Sequence, residues 1–215
     1  MGNRILIVSD AWTPQVNGVV QTIKETVKVL ENWGYQVKVI SPSNFVHFPL
    51  PSYPEIKLAI PTKHKLAKLI TEFNPSAIHI ATEGPLGWAT RKYCLRNKLP
   101  FTTVFHTRFP EYINKRVRVV PISLGYKFLA LFHKKATKVL IPNQTMADIF
   151  RKYGINNLAY WVRGVDTNTF QPNKQPTTYK HPVMITICRL SPEKNLEAFF
   201  NLDIKGTKIV ISGGP

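Results

Sequence analysis

The chain has 215 residues, 44% of them hydrophobic, which suffices for one large domain or one and a half ordinary ones. Lysine and arginine number 29 against 12 acidic residues, and the net charge of +17 attracts polyanions such as nucleic acid, anionic lipid or phosphorylated substrates without bearing on the fold. No stretch approaches the ~20 apolar residues of a membrane span, and the two cysteines, Cys94 and Cys188, lack motif spacing, so they read as reduced core thiols of a cytosolic protein rather than a disulfide framework.

The start, MGNRIL, enters a strand at once, so neither a signal peptide nor a myristoylation site is expected. Residues 4–9, RILIVS, form a short β-branched apolar run and read as a buried strand. After a loop, Val19, Ile23, Val27 and Leu30 recur at helical spacing, with Asn17 as N-cap and Gly34 as C-terminal stop. Gly18 therefore stands at the positive end of a helix that follows a strand. That is a position for an anion or for a tight turn alone, and one glycine does not separate the two. A dinucleotide site is disfavoured, because the second strand, YQVKVIS at 35–41, ends without an acidic residue for a ribose.

Five prolines between 42 and 61 predict a long loop with one short strand at 56–60. A helix over 66–73 stops at Asn74-Pro75, and a strand at 77–81 and a helix over 86–97 follow. The strand at 101–105, FTTVF, delivers His106, Thr107 and Arg108 to its carboxyl end. Residues 115–138 are basic and apolar together. Either Ile122, Tyr126, Leu129 and Phe132 pack as core beneath a solvated face of Lys127, His133, Lys134 and Lys135, or the segment lies on an anionic membrane. A strand at 138–141 follows. Thr145 with Asp148 then resembles a capping box before a helix ending near Gly154, and a strand at 157–162 leads to Arg163 and Asp166.

This alternation predicts an α/β fold, a doubly wound parallel sheet with helices on both faces. The polar, proline-bearing stretch 171–182 reads as a linker. The pattern then restarts with a strand at 183–188, a helix over 192–202 and a strand at 207–212, too little to bury a core alone. The domains are expected at 1–170 and 183–215. Arg189 follows a strand and Lys194 falls in the first turn of the next helix, where two cations would hold a diphosphate; ordinary surface charge is the alternative. His106 is a candidate from its place at a strand end, where α/β enzymes keep their sites. Histidine and cysteine spacings give no metal site, nucleophile elbow or Walker loop.

Four segments in order, SDAWTPQVNGVVQTI at 9–23, FHTRFPEYI at 105–113, WVRGVDTNTFQP at 161–172 and CRLSPEKNLEAF at 188–199, resemble the GT-B retaining glycosyltransferases of family 4, above all the bacterial mannosyl- and glucosyltransferases that act on lipid acceptors. The resemblance implies a Rossmann-like acceptor-binding domain followed by the first β-α-β piece of a second, donor-binding Rossmann-like domain that continues beyond Pro215. It implies metal-independent, retaining transfer of a hexose from a nucleotide sugar, GDP-mannose or UDP-glucose, to a lipid or related acceptor. No cofactor is implied. By motif match Arg189 and Lys194 would bind the donor diphosphate, Gly18 would admit the donor phosphate or sugar, and His106 would contact the transferred sugar. Asn17, Thr107, Arg108, Arg163 and Asp166 would shape the cleft.

The expected partners are the donor, the acceptor, an anionic membrane surface and a separately encoded C-terminal domain; nucleic acid is not expected. The protein would act peripherally on the inner face of the plasma membrane, held by Arg116, Arg118, Lys127, Lys134 and Lys135 with Tyr126, Phe128 and Leu131 entering the interface. The alternative is a non-catalytic membrane- or polyanion-binding relic of a split glycosyltransferase.

Overall fold

A computed structural model describes residues 2–50, 53–116, 121–172, 178–188, 190 and 194–212. Arg118 and Arg189 lie outside the described residues, and so does the side chain of Arg116. The chain divides into two units, Met1–Arg163 and Gly164–Pro215.

The first unit alternates strand and helix. It contains β1 (Arg4–Val8), α1 (Gly18–Asn32), β2 (Gln36–Ile40), β3 (Val46–Leu50), β4 (Tyr53–Ile60), α2 (Lys63–Phe73) and β5 (Ala77–Ile80). It continues with α3 (Pro85–Arg96), β6 (Thr102–Val104), α4 (Phe109–Arg116), α5 (Ile122–His133), β7 (Lys138–Ile141), α6 (Gln144–Lys152) and β8 (Leu158–Tyr160). Six strands form one sheet in the order β2-β1-β5-β6-β7-β8, with every described pairing parallel. This is the parallel sheet that the strand–helix alternation predicted, and the Rossmann-like architecture that the family resemblance implied. The chain leaves β1 for β2 on one side and returns to β5 on the other, so the sheet's topological switch point lies between the carboxyl ends of β1 and β5.

Strand alternation divides the core. Leu6 and Val8 face a large cluster that includes Leu66 and Ile70 of α2, Leu86 of α3, Leu129 and Phe132 of α5, and Phe150 of α6. Ile5 and Ile7 face the opposite layer, where α1 contributes Val19, Ile23, Val27 and Leu30. Burying each such side chain contributes about 1.5–3 kcal/mol, which is why these short strands hold. The cap of α1 forms as its sequence predicts: Asn17 Oδ1 accepts from the N–H groups of Val19 and Val20, both at 3.0 Å. The helix ends before Gly34, whose φ of +84° a side chain would resist.

Four local expectations are corrected. The stretch after β2 is not a loop with one strand but a 3-10 turn, Pro42–Asn44, and an antiparallel hairpin of β3 on β4. Pro49 falls where the ladder is irregular, at the register shift between Pro49 and Leu50. The cap of α6 is Asn143, which accepts from Met146 N–H at 3.0 Å, whereas Asp148 pairs with Arg151 on the surface. Within 121–138 the segment divides both ways: α5 buries Tyr126, Leu129 and Phe132 while Ile122, Leu124, Phe128 and Leu131 are exposed. Tyr126, at 2% exposure, belongs to the core and cannot enter a membrane. In the second unit β9 (Val183–Ile187) pairs in parallel with β10 (Thr207–Ile211), and α7 (Leu196–Phe200) lies between them in sequence. The N-cap of α7 is Asn195, so Lys194 precedes the helix rather than standing in its first turn.

Candidate functional site at the carboxyl edge of the sheet

Loops from the carboxyl ends of β1, β5, β6 and β8 bring the first unit's polar residues together. At the switch point the loop after β1 meets the loop after β5. Asp10, 8% exposed, accepts from Leu86 N–H at 2.8 Å, Gly87 N–H at 3.1 Å and Thr82 Oγ1 at 2.8 Å. It thereby caps α3 from 76 residues away. Burial raises its pKa, opposed by the N–H groups of Leu86 and Gly87 and by the Thr82 hydroxyl. The loop fits closely around this carboxylate: a Cβ on Gly84 would come within 2.4 Å of Asp10 Cγ, and one on Gly87 within 1.9 Å of Thr82 O.

One loop further along the sheet, His106 follows β6 and Arg163 follows β8. Arg163 Nη2 lies 2.9 Å from His106 Nδ1. A guanidinium only donates, so Nδ1 is the acceptor and the ring proton resides on Nε2. That Nε2 is buried and has no hydrogen-bond partner among the described residues. Burial first, then the charges of Arg163 and His79, push the His106 pKa down to about 3. His79, bonded through Nδ1 to Thr102 Oγ1 at 2.8 Å, is pushed by burial to about 4. His106 is thus a neutral imidazole at physiological pH with one unspent donor. It lines a cavity of about 490 Å³ with Phe105, Arg108, Asn143, Met146 and Arg163.

Arg108 is tied down beside it. Its Nε and Nη2 donate to Glu111 Oε1 at 2.9 and 2.6 Å, and Tyr126 Oη donates to the same oxygen at 2.7 Å. The bond to Glu111 is the leading cause that raises the Arg108 pKa. Tyr126 rises to about 12, by burial and then by Glu111. Past the second wall of this segment, Glu83 Oε1 meets His133 Nε2 at 3.3 Å, and His133 Nδ1 meets Thr103 Oγ1 at 2.9 Å.

The family model for glycosyltransferase family 4 matches residues 16–169, more than half of the chain. The chain belongs to glycosyltransferase family 4. It is 22% identical to a GDP-mannose-dependent alpha-mannosyltransferase of Corynebacterium glutamicum, over 99% of this chain and 58% of that protein. It is 24% identical to a GDP-mannose-dependent alpha-mannosyltransferase of Mycobacterium tuberculosis, over 99% of this chain and 63% of that protein. An alpha-monoglucosyldiacylglycerol synthase of Streptococcus pneumoniae is 22% identical over 91% of this chain and 51% of its own length. The chain therefore spans about half to three-fifths of these relatives.

Within this family 4 chain, the residues singled out from sequence divide by unit. His106, Arg108 and Arg163 line one cavity, and Thr107 sits between the first two with its carbonyl accepting from Phe109 N–H at 2.8 Å. Gly18 opens α1 with nothing within 4 Å of the place a Cβ would take, so no packing inside this unit demands glycine there. Asn17 already engages two of the free N–H groups at that helix end, which leaves fewer for an anion. Asp166 belongs to the second unit, where it accepts from Asn168 N–H at 2.9 Å and Thr169 Oγ1 at 3.0 Å; Lys194 is exposed there. Lys127, Lys134 and Lys135 are exposed on and just beyond α5. Sequence reasoning missed Asp10, Glu83 and Glu111, and the solvated place expected for His133 is corrected: it is fully buried, bonded to Thr103 and Glu83. A usable signal existed for two: Asp10 and Glu83 come two and three residues after the ends of β1 and β5, in a chain with only 12 acidic residues.

Proposed function

We propose that this protein serves the metal-independent, retaining transfer of a hexose from a nucleotide sugar to a lipid or related acceptor. The observation that carries the reading is His106 at a strand carboxyl end: its buried Nε2–H has no partner among the described residues, and the residue borders a cavity of about 490 Å³. A hydroxyl of the transferred sugar is the acceptor it fits. Because burial and Arg163 keep the ring neutral, it donates without adding a cation beside the anomeric centre, where positive charge develops. Arg189 and Lys194 supply the positive charge for the donor diphosphate in place of a metal. The relatives named for GDP-mannose make that donor the first choice and UDP-glucose the second.

The lipid side is supported by the outward face of α5. Leu124, Phe128 and Leu131 are 57%, 51% and 61% exposed, with Lys127 among them and Lys134 and Lys135 just beyond. We infer that this face rests on the inner leaflet of the plasma membrane, since no described helix is long and apolar enough to cross it.

The test is sugar transfer from radiolabelled GDP-mannose, then UDP-glucose, to total lipid, by the chain alone and with a separately encoded second domain. Transfer that falls about 100-fold or more in His106→Ala supports the reading. No transfer from either donor under either condition overturns it and leaves the non-catalytic membrane-binding role.

A further inference from the structure

Arg108 makes its part of the His106 cavity wall through a contact that reaches into the core. Glu111 stands in the first turn of α4, three residues after Arg108, so the two side chains are neighbours. A half-exposed pair of this kind is ordinarily worth little, because both side chains are free to leave it. This one is held from inside the protein. Arg108 Nε and Nη2 both donate to Glu111 Oε1, at 2.9 and 2.6 Å, which fixes the plane of the guanidinium. The same oxygen accepts from Tyr126 Oη at 2.7 Å. Tyr126 is 2% exposed, stacked on Tyr153 with ring centres 5.1 Å apart, and edge-on to Phe150 at 6.3 Å. Phe150 lies in α6 and Tyr153 caps its end, while Asn143, Thr145 and Met146 at the start of that helix line the cavity. One buried phenol therefore braces two parts of the cavity wall. The other Glu111 oxygen, Oε2, is buried with no partner among the described residues, so the arrangement is kept at a cost.

We propose that Glu111 and Tyr126 are positioning residues for Arg108, which contacts oxygens of the substrate held in the His106 cavity. The identity of that substrate rests on the glycosyl-transfer reading; the positioning rests on the hydrogen bonds alone. No carboxylate lines the cavity among the described residues, and Arg108 bonds none of the other lining residues, so its charge is offered to whatever oxygen the cavity holds. A guanidinium only donates, so its targets are hydroxyl or charged oxygens, which a sugar and its phosphate both carry. Tyr126 is a constant donor: burial and then Glu111 push its pKa to about 12, so the hydroxyl keeps its proton at physiological pH. Without that hydroxyl the Glu111 carboxylate is free to turn, and Arg108 turns with it. Small misplacements of a contacting group are costly in a reaction that depends on alignment.

Two measurements test this, the first without substrate. In isotope-labelled full chain the Arg108 Nε–H resonance, assigned by its loss in Arg108→Ala, should exchange with solvent about tenfold faster in Tyr126→Phe than in the parent, the size of one hydrogen bond to a charged group. Tyr126→Phe keeps the ring and its stack on Tyr153, so the fold is retained. In the transfer assay above, Tyr126→Phe should lower the rate about tenfold and Arg108→Ala at least as much. Adding Tyr126→Phe to Arg108→Ala should lower it no further, because Tyr126 acts through Arg108. A tyrosine that serves the fold alone would lower both backgrounds alike. Unchanged Nε–H exchange in Tyr126→Phe overturns the proposal. So do losses that multiply in the double variant, or full transfer by Arg108→Ala. A chain that transfers no sugar loses the glycosyl-transfer reading, and the exchange rates alone then decide whether Glu111 and Tyr126 hold Arg108.

Discussion

Arg163 Nη2 and His106 Nδ1, 57 residues apart in sequence, meet at 2.9 Å and so fix which ring nitrogen carries the proton. The other nitrogen, Nε2, carries the proton and is buried without a hydrogen-bond partner among the described residues. Arg163→Met should release the ring. Burial is the larger cause of the depressed pKa, so the His106 pKa should rise from about 3 but stay below 6.5. Ring-proton NMR titration measures this directly. An unchanged titration would mean that the Arg163 contact does not set the tautomer.

His79 and His106 predict acid sensitivity. Both have folded pKa values below 6.5, at about 4 and about 3. As pH falls below 6.5 the unfolded chain takes up protons that the folded chain refuses, so stability is full above that pH and declines toward pH 4. The His79 share is at most about 3.4 kcal/mol, the free-energy equivalent of a pKa lowered from 6.5 to about 4. Urea midpoints at pH 7 and pH 4.5 should differ less in His79→Gln than in the parent.

Asp10 is expected to matter for stability out of proportion to its size. Asp10→Ala orphans the N–H groups of Leu86 and Gly87 at a buried helix start and should cost about 2–4 kcal/mol. Asp10→Asn should cost less, because its amide oxygen can still accept while the desolvated charge is gone. Chemical denaturation of both variants orders them; equal losses would show that the charge itself is required.

Reversing Lys127, Lys134 and Lys135 to Glu should release the protein from anionic vesicles. Each cation near such a surface is worth about 1 kcal/mol, so the loss should exceed a hundredfold in cosedimentation. In the parent, residual binding at high salt would come from Leu124, Phe128 and Leu131, since salt screens charge and not apolar contact. A triple variant that binds like the parent would place the membrane contact elsewhere.

Limited trypsin digestion should cut within 164–215 first. Among the described residues of that unit Ile185, Ile187, Phe200 and Ile211 are 53%, 69%, 52% and 53% exposed, and β9 and β10 form a two-stranded sheet. Mass spectrometry should find a resistant fragment ending near Arg163. Equal protection of both units would show that the second is covered by a partner.

The sequence by itself determined what depends on neighbours along the chain. The β-branched runs at β1 and β2, the helical spacing of Val19, Ile23, Val27 and Leu30, the Asn17 cap and the Gly34 stop all act within a few residues, so their pattern is visible in one dimension. Placement of His106, Thr107 and Arg108 after a strand was legible for the same reason. Where a local signal was ambiguous it misled: prolines at 42–61 mark turns and also sit in an irregular hairpin, and a Thr-x-x-Asp box competes with an Asn one or two residues before it. Only the tertiary structure decided the meetings at the sheet's edge. Asp10 finds Leu86, Glu83 finds His133, and His106 finds Arg163 because β1 lies beside β5, β5 beside β6, and β8 follows β7 in the sheet. Strand order is set by the burial of whole faces and by crossover connections. Neither leaves a periodic trace at the residues that end up in contact.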